Sequence, residues 1–408
     1  MKRPQDIVNA YSAEVLGFGF KGADGPADFP AAPAPADLEL LAARVLAAFE
    51  RSGRRHLVLL GLGSGALAAA LAKILPADAL CVCEQDVSLV RALCNAGRLD
   101  WWGLGASASP AGLATDTSPW ALLLLLDRAG IGPGEALALP NPELPPQAKA
   151  AHRQLELLLT RSRPLALAAG PEAPPVPWLS AAAILSPAEP DLAGFFAQFP
   201  DWLGELVMVW DADIVPDVPV PVRVPVRHLA RPLGRDFSAQ RAAMLAACTG
   251  DWVLYLDVDE RLSPAAWADI PALCAASDLF DVAAWHFPRC TPYPDAEHAL
   301  VGFGLWPDVQ LRLFRNAPGL GFVNPVHERL TGVCGAQALA LDVEIEHLSR
   351  LRKGTEALRR KLSGFDEAGA GRVRHALSEE YPSVPRHLVA ARRPDGPPRC
   401  LLLPPEPA

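Results

Sequence analysis

Apolar positions along the chain change period repeatedly, and each change marks an element. Leu38, Leu41, Val45, Leu46 and Phe49 recur at helical spacing between Asp37 and Phe49. After Gly53 the spacing gives way to an unbroken run, "HLVLLGLGSG", which predicts a buried strand that ends in Gly61, Gly63 and Gly65. An Ala- and Leu-rich helix to about Leu75 follows, then a second apolar run, "ALCVCEQD", closing on Glu84. The most apolar stretch, "WALLLLL" at 120–126, is about a third of the ~20 residues a membrane-spanning helix needs and reads as another buried strand.

The pattern restarts near Trp178. "WLSAAAILS" (178–186) reads as a strand, "EPDLAGFFAQFP" (189–200) as a short helix, and "GELVMVWDAD" (204–213) as a second strand ending in Asp211 and Asp213. In "DFSAQRAAMLAACTG" the residues Phe237, Met244, Leu245 and Cys248 share one helical face, and Gly250 is placed to end the helix. The strand "WVLYL" follows and delivers Asp257 and Asp259, which strand alternation puts on the same side. Ser263 as N-cap and Pro264 as first residue open the next helix, with Trp267, Ile270 and Leu273 as its apolar side.

A chain of 408 residues has room for two domains, each with its own core. Its 42 prolines gather at 26–36, 140–146, 171–190, 215–232 and 382–406, the expected linkers, loops and tail. From Pro382 onward the chain is expected to run extended over the surface or stay partly disordered. A net charge of −9 with no long basic block argues against nucleic acid as partner, because phosphate contacts need clustered Lys and Arg. The eight cysteines lack repeated CxxC pairs and read as reduced thiols of a cytoplasmic protein. The N-terminus shows no sustained apolar segment with a small-residue cleavage site, so neither a signal peptide nor a transmembrane helix is expected. One stretch, "SRLRKGTEALRRKLSGF" (349–365), sets Arg350, Arg352, Lys353, Arg359, Arg360 and Lys361 on a helix. It reads either as a peripheral contact with the anionic inner membrane or as a solvated face packed on its own domain.

Strand, glycine turn, helix, strand, acid is the layout of a nucleotide site. Glycines admit a ligand to the backbone, a helix N-terminus favours negative charge, and a terminal acid can hold ribose hydroxyls. Over about residues 55–130 the chain resembles Rossmann-like methyltransferases. Two readings stay open there, a retained fold without a cofactor and an active methyltransferase. At Asp257 and Asp259, paired carboxylates on one face are costly unless a cation, a proton or a basic partner compensates them. A divalent Mg²⁺ or Mn²⁺ suits all-oxygen ligands; the plain alternative is a solvated strand-to-helix turn.

The blocks "DFSAQRAAMLAACTGDWVLYLDVDERLSP" and "WPDVQLRLFRNAPGLGFVNPVHERL" (306–330) together resemble the family-2 glycosyltransferases, in particular the bacterial branch that adds sugars to lipopolysaccharide core. The resemblance covers about residues 178–365. It implies a GT-A fold, a nucleotide-diphosphate sugar donor, a cell-envelope or surface glycan acceptor, and inversion at the anomeric carbon. Asp257 and Asp259 match the family's DxD, which holds the metal at the donor diphosphate. Asp211 matches the acid that ends the second strand and meets the nucleotide. Gln240 and Arg241 match the preceding helix, where Arg241 faces phosphate or makes a surface salt bridge. His327 and Glu328 match a His-Glu pair. Glu328 is the expected general base, because the attacking hydroxyl must lose its proton as it bonds. His327 is an acceptor-site, metal-proximal or structural histidine, and Asp308 is the reserve base. Arg312 and Arg315 are matched as structural or phosphate-facing residues.

The chain also departs from the family. "SPAE" (186–189) stands where members carry Asn-Glu, Ala242 where they carry Asn, and "DADIVPDVPVP" where they have a Gly- and Ser-rich turn. A catalytically silent sugar-nucleotide binder or assembly module, and a methyltransferase with an accessory transferase domain, therefore stay as alternatives. The expected layout is an N-terminal segment (1–36), a Rossmann-like α/β domain (37–165), a proline-rich linker (166–177), a GT-A-like domain with a mixed, mainly parallel sheet (178–365), and a proline-rich tail (366–408).

Overall fold

The computed structural model describes residues 4–18, 29–102, 111–167, 176–325, 328–352, 381–391 and 396–405. It is a mixed α/β structure with parallel strands, and the chain divides into two compact units. The first comprises Met1–Pro164, Glu297–Asp308 and Glu380–Ala390; the second comprises Leu165–Ala296, Val309–Glu379 and Ala391–Ala408.

The first unit is built on four parallel strands in the order Gly112–Thr115, Leu80–Glu84, His56–Leu60, Ala136–Pro140. The two inner strands are buried almost throughout, which is why they read as continuous apolar runs. Helix Pro35–Ser52 ends at Gly53, whose φ of 61° is the left-handed cap that glycine takes without a Cβ penalty. The N-terminal helix Pro4–Gly17 belongs to this unit and buries Ile7, Val8, Tyr11 and Val15. Two short strands from later in the chain, His298–Leu300 and Ser383–Pro385, pair antiparallel within it.

The run at 120–126 is a helix, Pro119–Arg128, and not the expected strand. Ser118 caps it by accepting the Ala121 N–H, and Pro119 occupies the first turn. Residues 121–128 are all buried. A helix enclosed on every side has no polar face, so its sequence loses the 3.6-residue signature. The Ser-Pro start was the signal that separated the two readings.

In the second unit the main sheet runs in the order Cys400–Leu402, Ala336–Ala340, Val282–Cys290, Asp308–Arg315, Trp252–Tyr255, Leu179–Leu185, Glu205–Trp210, Val226–Ala230. The last four are mutually parallel, and Asp308–Arg315 is antiparallel to Trp252–Tyr255. Leu185, Trp210 and Tyr255 therefore finish at one edge of the sheet, the same edge at which Asp308–Arg315 begins. Helix Phe237–Ala247 is capped by Asp236, which accepts from Ala239 N, and it buries Gln240 and Arg241 along with Met244. Ser263 and Pro264 open helix Pro264–Phe280 as the sequence implied, and Trp267, Ile270 and Leu273 lie in the core.

The tail is not wholly a surface segment. Cys400–Leu402 pairs antiparallel with Ala336–Ala340, and Cys400 and Leu401 are buried. Asp342 pins this strand, accepting from the Arg399 backbone N–H at 2.9 Å and from its guanidinium at 2.7 Å. The short apolar run "CLLL" carried that information, but the prolines around it dominated the sequence reading.

Candidate active site

The strand that leads to the acidic turn stops at Tyr255, and residues 257–259 form a turn before the short strand Glu260–Leu262. Two bonds close it: Glu260 N donates to Asp257 O at 2.9 Å, and Asp257 N donates to Glu260 Oε2 at 3.0 Å. Alternation thus ends before the two aspartates, and they take different partners.

Asp257 faces guanidinium groups. Its Oδ1 accepts from Arg241, its Oδ2 accepts from Arg312 Nη2 at 2.8 Å, and Arg289 Nη1 lies 4.0 Å from Oδ2. Arg241 Nε donates to Glu328 Oε1 at 3.0 Å. Glu260, with no exposed side-chain surface, accepts from Arg289 Nη1 at 2.7 Å and from Arg312 Nη2 at 2.6 Å. Arg241 and Arg312 both stack on the Tyr255 ring, 4.7 and 4.6 Å from its centroid, within cation–π range. Three arginines and three carboxylates form one connected network. Exposure separates them: Asp257 is 31% and Glu328 17% exposed, against 0% for Glu260. Solvent reaches the first two, while Glu260 is enclosed with Arg289 and Arg312.

Electrostatics favours the charged forms. Burial alone would push the Asp257 pKa up, but Arg312, Arg241 and Arg289 hold it well below the usual carboxylate value. Burial would lower Arg312 and Arg241; the carboxylates and Tyr255 around them raise both instead. Arg241 Nη1 and Arg312 Nε are buried with no hydrogen-bond partner among the described residues.

Asp259 belongs to a second cluster. Its Oδ1 lies 3.6 Å from His347 Nε2, and its carbonyl accepts the Leu348 N–H at 2.8 Å. Strand Ile345–His347 pairs antiparallel with Glu260–Leu262 to put them together. Thr291 Oγ1 and Ser349 Oγ lie 3.2 and 3.4 Å from His347 Nδ1, an arrangement that orients the ring. Of the two ions, the Asp259 carboxylate suits both Mg²⁺ and Mn²⁺, while the nitrogen of the His347 imidazole does not suit Mg²⁺, so this pair is a partial donor set and fits Mn²⁺ better. Asp257 fits less well, since both its oxygens already meet guanidinium groups. Among the described residues no group of three or more His, Cys, Asp or Glu is disposed around a common point.

Of the other sequence-selected residues, Asp211 follows strand Glu205–Trp210, is exposed, and accepts the Leu233 N–H at 2.7 Å. Asp308 is the half-buried first residue of its strand. Gln240 is buried and ties down Arg231, donating to its carbonyl at 2.9 Å. Arg315 stacks on Trp252 and pairs with Asp278 at the opposite edge of the sheet, away from Asp257. His327 lies outside the described residues, as does the basic stretch beyond Arg352. Arg352 itself pairs with Asp191. Sequence reading missed Arg289 and His347. Arg289 stands beside the end of the mostly apolar strand Val282–Cys290, where a polar group marks a strand terminus, whereas His347 ends the three-residue strand Ile345–His347, too short to carry a pattern.

No family model matches the chain. A TPR repeat-containing protein of Synechococcus elongatus is 39% identical over 94 residues, which is 23% of this chain and 20% of that protein. Among solved structures, S. aureus TarS aligns over 34% of this chain and 28% of its own length, at 16% identity and a TM-score of 0.26. TarS 1–349 in complex with UDP-GlcNAc aligns over 29% of this chain and 36% of its own, at 18% identity and a TM-score of 0.24. The chain thus spans a minor part of each.

Proposed function

We propose that the carboxyl edge of the second unit is a glycosyl-transfer site. It would take a nucleotide-diphosphate sugar, with a divalent metal, and pass the sugar with inversion to a cell-envelope or surface glycan. In this reading the second unit is a GT-A-like domain and the first a Rossmann-like one. The observation that carries it is the bridge made by Arg241, which joins Asp257 of one motif block to Glu328 of the other. Asp257 and Glu328, far apart in sequence, thus share one guanidinium partner, which supports assigning them to one site.

The chemistry assigned to each side chain follows. Arg241, Arg289 and Arg312 present guanidinium donors, which suit the paired oxygens of a diphosphate. An incoming donor exchanges with the reachable Asp257 as their counter-charge, and Glu260 keeps Arg289 and Arg312 in place. The acceptor hydroxyl attacks the anomeric carbon. As that C–O bond forms, the bond to the diphosphate breaks and its electron pair leaves with the diphosphate. The hydroxyl proton passes to Glu328, whose carboxylate keeps acceptor sites beyond the one taken by Arg241. A divalent ion held by Asp259 with His347 would supply further positive charge at the leaving group. Asp257 is then the residue that holds the arginines between turnovers. Asp211 lies at the same edge and is assigned to the nucleotide, His327 to the acceptor side, and Asp308 is the reserve base. The protein would work in the cytoplasm, with the basic stretch after Ser349 as its route to an anionic membrane.

Titration calorimetry with UDP-, GDP- and dTDP-sugars, with and without Mn²⁺, followed by a donor-hydrolysis assay, tests the reading. Binding with hydrolysis that falls at least about a hundredfold in Glu328→Gln and Asp259→Asn is expected. Hydrolysis unchanged in both variants sinks it. The engagement of both Asp257 oxygens by arginine favours one second reading, a silent sugar-nucleotide binder, which predicts binding with no hydrolysis in the wild type.

A further inference from the structure

The first unit offers the layout of a nucleotide site, yet its residues do not fit an exogenous nucleotide or S-adenosyl group. In an open parallel sheet such ligands bind at the carboxyl ends of the strands. Here each of the four ends is closed by a side chain of the unit itself.

After strand His56–Leu60, the turn at Gly61, Gly63 and Gly65 takes φ values of 91°, 58° and 80°, which admit close approach. What approaches is Glu143. Its Oε2 accepts from Ser64 N at 2.9 Å and Ser64 Oγ at 2.5 Å, and its Oε1 accepts from Leu67 N at 2.8 Å. These are donors at the start of helix Ala66–Ile74, where a ligand's anionic group would sit. The space that the missing side chains leave is filled too. A Cβ on Gly63 would lie 2.9 Å from Glu143 Oε2, and one on Gly61 would collide with Leu144 and lie 3.1 Å from His152 Nε2.

After strand Leu80–Glu84, the terminal acid is 3% exposed and turned back on the chain. Glu84 accepts from Leu62 N at 2.8 Å, Gln85 N at 2.8 Å and Asp86 N at 2.9 Å, with His152 Nε2 at 3.5 Å. Burial pushes its pKa up, but His152 and these amides bring it below the usual value, so it is held as an anion by the protein alone. After strand Gly112–Thr115, Asp116 accepts from Tyr11 Oη at 2.6 Å and from Ser118 N at 2.7 Å. After strand Ala136–Pro140, buried Asn141 donates to Gly61 O at 3.0 Å and Leu62 O at 3.1 Å and accepts from Glu143 N at 2.9 Å. It thereby fixes the segment that carries the plug.

We propose that Glu143 is a built-in ligand of the glycine turn. Segment 141–152 seals the carboxyl edge of the first unit, which then serves as a scaffold and takes neither S-adenosylmethionine nor a dinucleotide. This stands on the first unit alone and is independent of glycosyl transfer. Equilibrium dialysis of labelled S-adenosylmethionine and NAD⁺ against the full chain should show no retention at millimolar ligand. Amide exchange at Ser64 and Leu67 should be slow without any ligand and at least about tenfold faster in Glu143→Gln, whose amide cannot be a charged acceptor to three donors. In Glu143→Ala, inorganic phosphate should raise the melting temperature, with no such rise in the wild type. Micromolar binding of either cofactor by the wild type overturns the proposal, as does exchange at Ser64 and Leu67 that Glu143→Gln leaves unchanged. Should Glu143→Ala fail to fold, the wild-type dialysis decides by itself.

Discussion

The carboxyl edges of the first unit's parallel sheet and of the parallel strands in the second unit's mixed sheet solve the same problem, negative charge at the ends of apolar strands, with different partners. In the first unit Glu84, Glu143 and Asp116 are bonded to backbone amides, with the Ser64 and Tyr11 hydroxyls added at Glu143 and Asp116. In the second, Asp257, Glu260 and Glu328 are bonded to arginine side chains. The distinction matters because a backbone amide is fixed and neutral, so an acid bonded to several of them completes the fold. A guanidinium carries its charge on a side chain and accepts any anion of suitable shape, so a reachable carboxylate beside it can be exchanged for a phosphate. On the two proposals made above, the closed edge belongs to a scaffold and the exchangeable one to a site.

The largest effect should come from breaking the arginine network from inside. Arg312→Ala leaves the fully enclosed Glu260 with Arg289 as its guanidinium partner among the described residues, and should cost about 3–5 kcal/mol in urea unfolding, the usual result of stranding a buried charge. A loss below about 1 kcal/mol would mean that the network is loose and the contrast with the first unit unfounded. Glu143→Ala comes next. It removes an acceptor shared by three donors at the glycine turn and should cost about 2–3 kcal/mol. It should leave donor hydrolysis by the second unit unaltered.

A smaller effect depends on pH. Burial raises the Asp116 pKa from 3.8 to about 6, against the opposing pull of Tyr11 and the Ser118 and Gly304 amides. Because the folded value is the higher one, this carboxyl's contribution is complete below the unfolded value and is lost as pH rises through about 6. Asp116→Asn should therefore gain on the wild type by on the order of 2 kcal/mol as pH goes from about 4 to about 7. A difference that does not vary with pH would contradict this. Asp257 has the opposite sign: its depressed pKa keeps the arginine pairs intact until the solution is more acid than an ordinary carboxylate's range. Smallest of all, Ser263→Ala and Asp86→Ala remove equivalent helix caps, one in each unit, and should each cost about 1 kcal/mol without altering ligand binding.

How much of this was written in the sequence differs between fold and site. The apolar strand before the acid cluster and the Ser263–Pro264 helix start were legible because their signals are local, but the strand stops at Tyr255, so alternation does not carry Asp257 and Asp259 to one side as expected. Helix Pro119–Arg128 was not, since enclosure on all sides erases the period that distinguishes helix from strand. Neither was the strand Cys400–Leu402, three residues among prolines whose partner lies far upstream. At the site, a basic partner was among the ways named to compensate the two aspartates, but which residues supply it depends on tertiary contacts. Arg289 and Arg312 come from two other strands, and His347 reaches Asp259 through an antiparallel pairing across a long sequence gap. Glu143 bears no motif. Its bonds from Ser64 and Leu67 and the filled space beside Gly63 reveal it.

The most direct measurement is a calorimetric titration of a panel of nucleotide-diphosphate sugars, with Mn²⁺, into the wild type, Arg241→Met and Glu143→Gln, each first checked for folding by circular dichroism. Binding to the wild type that is lost in Arg241→Met and kept in Glu143→Gln is the predicted result. Binding kept in Arg241→Met but lost in Glu143→Gln would put the ligand at the wrong edge, and no binding by the wild type would contradict the assignment of the arginine cluster as a donor site.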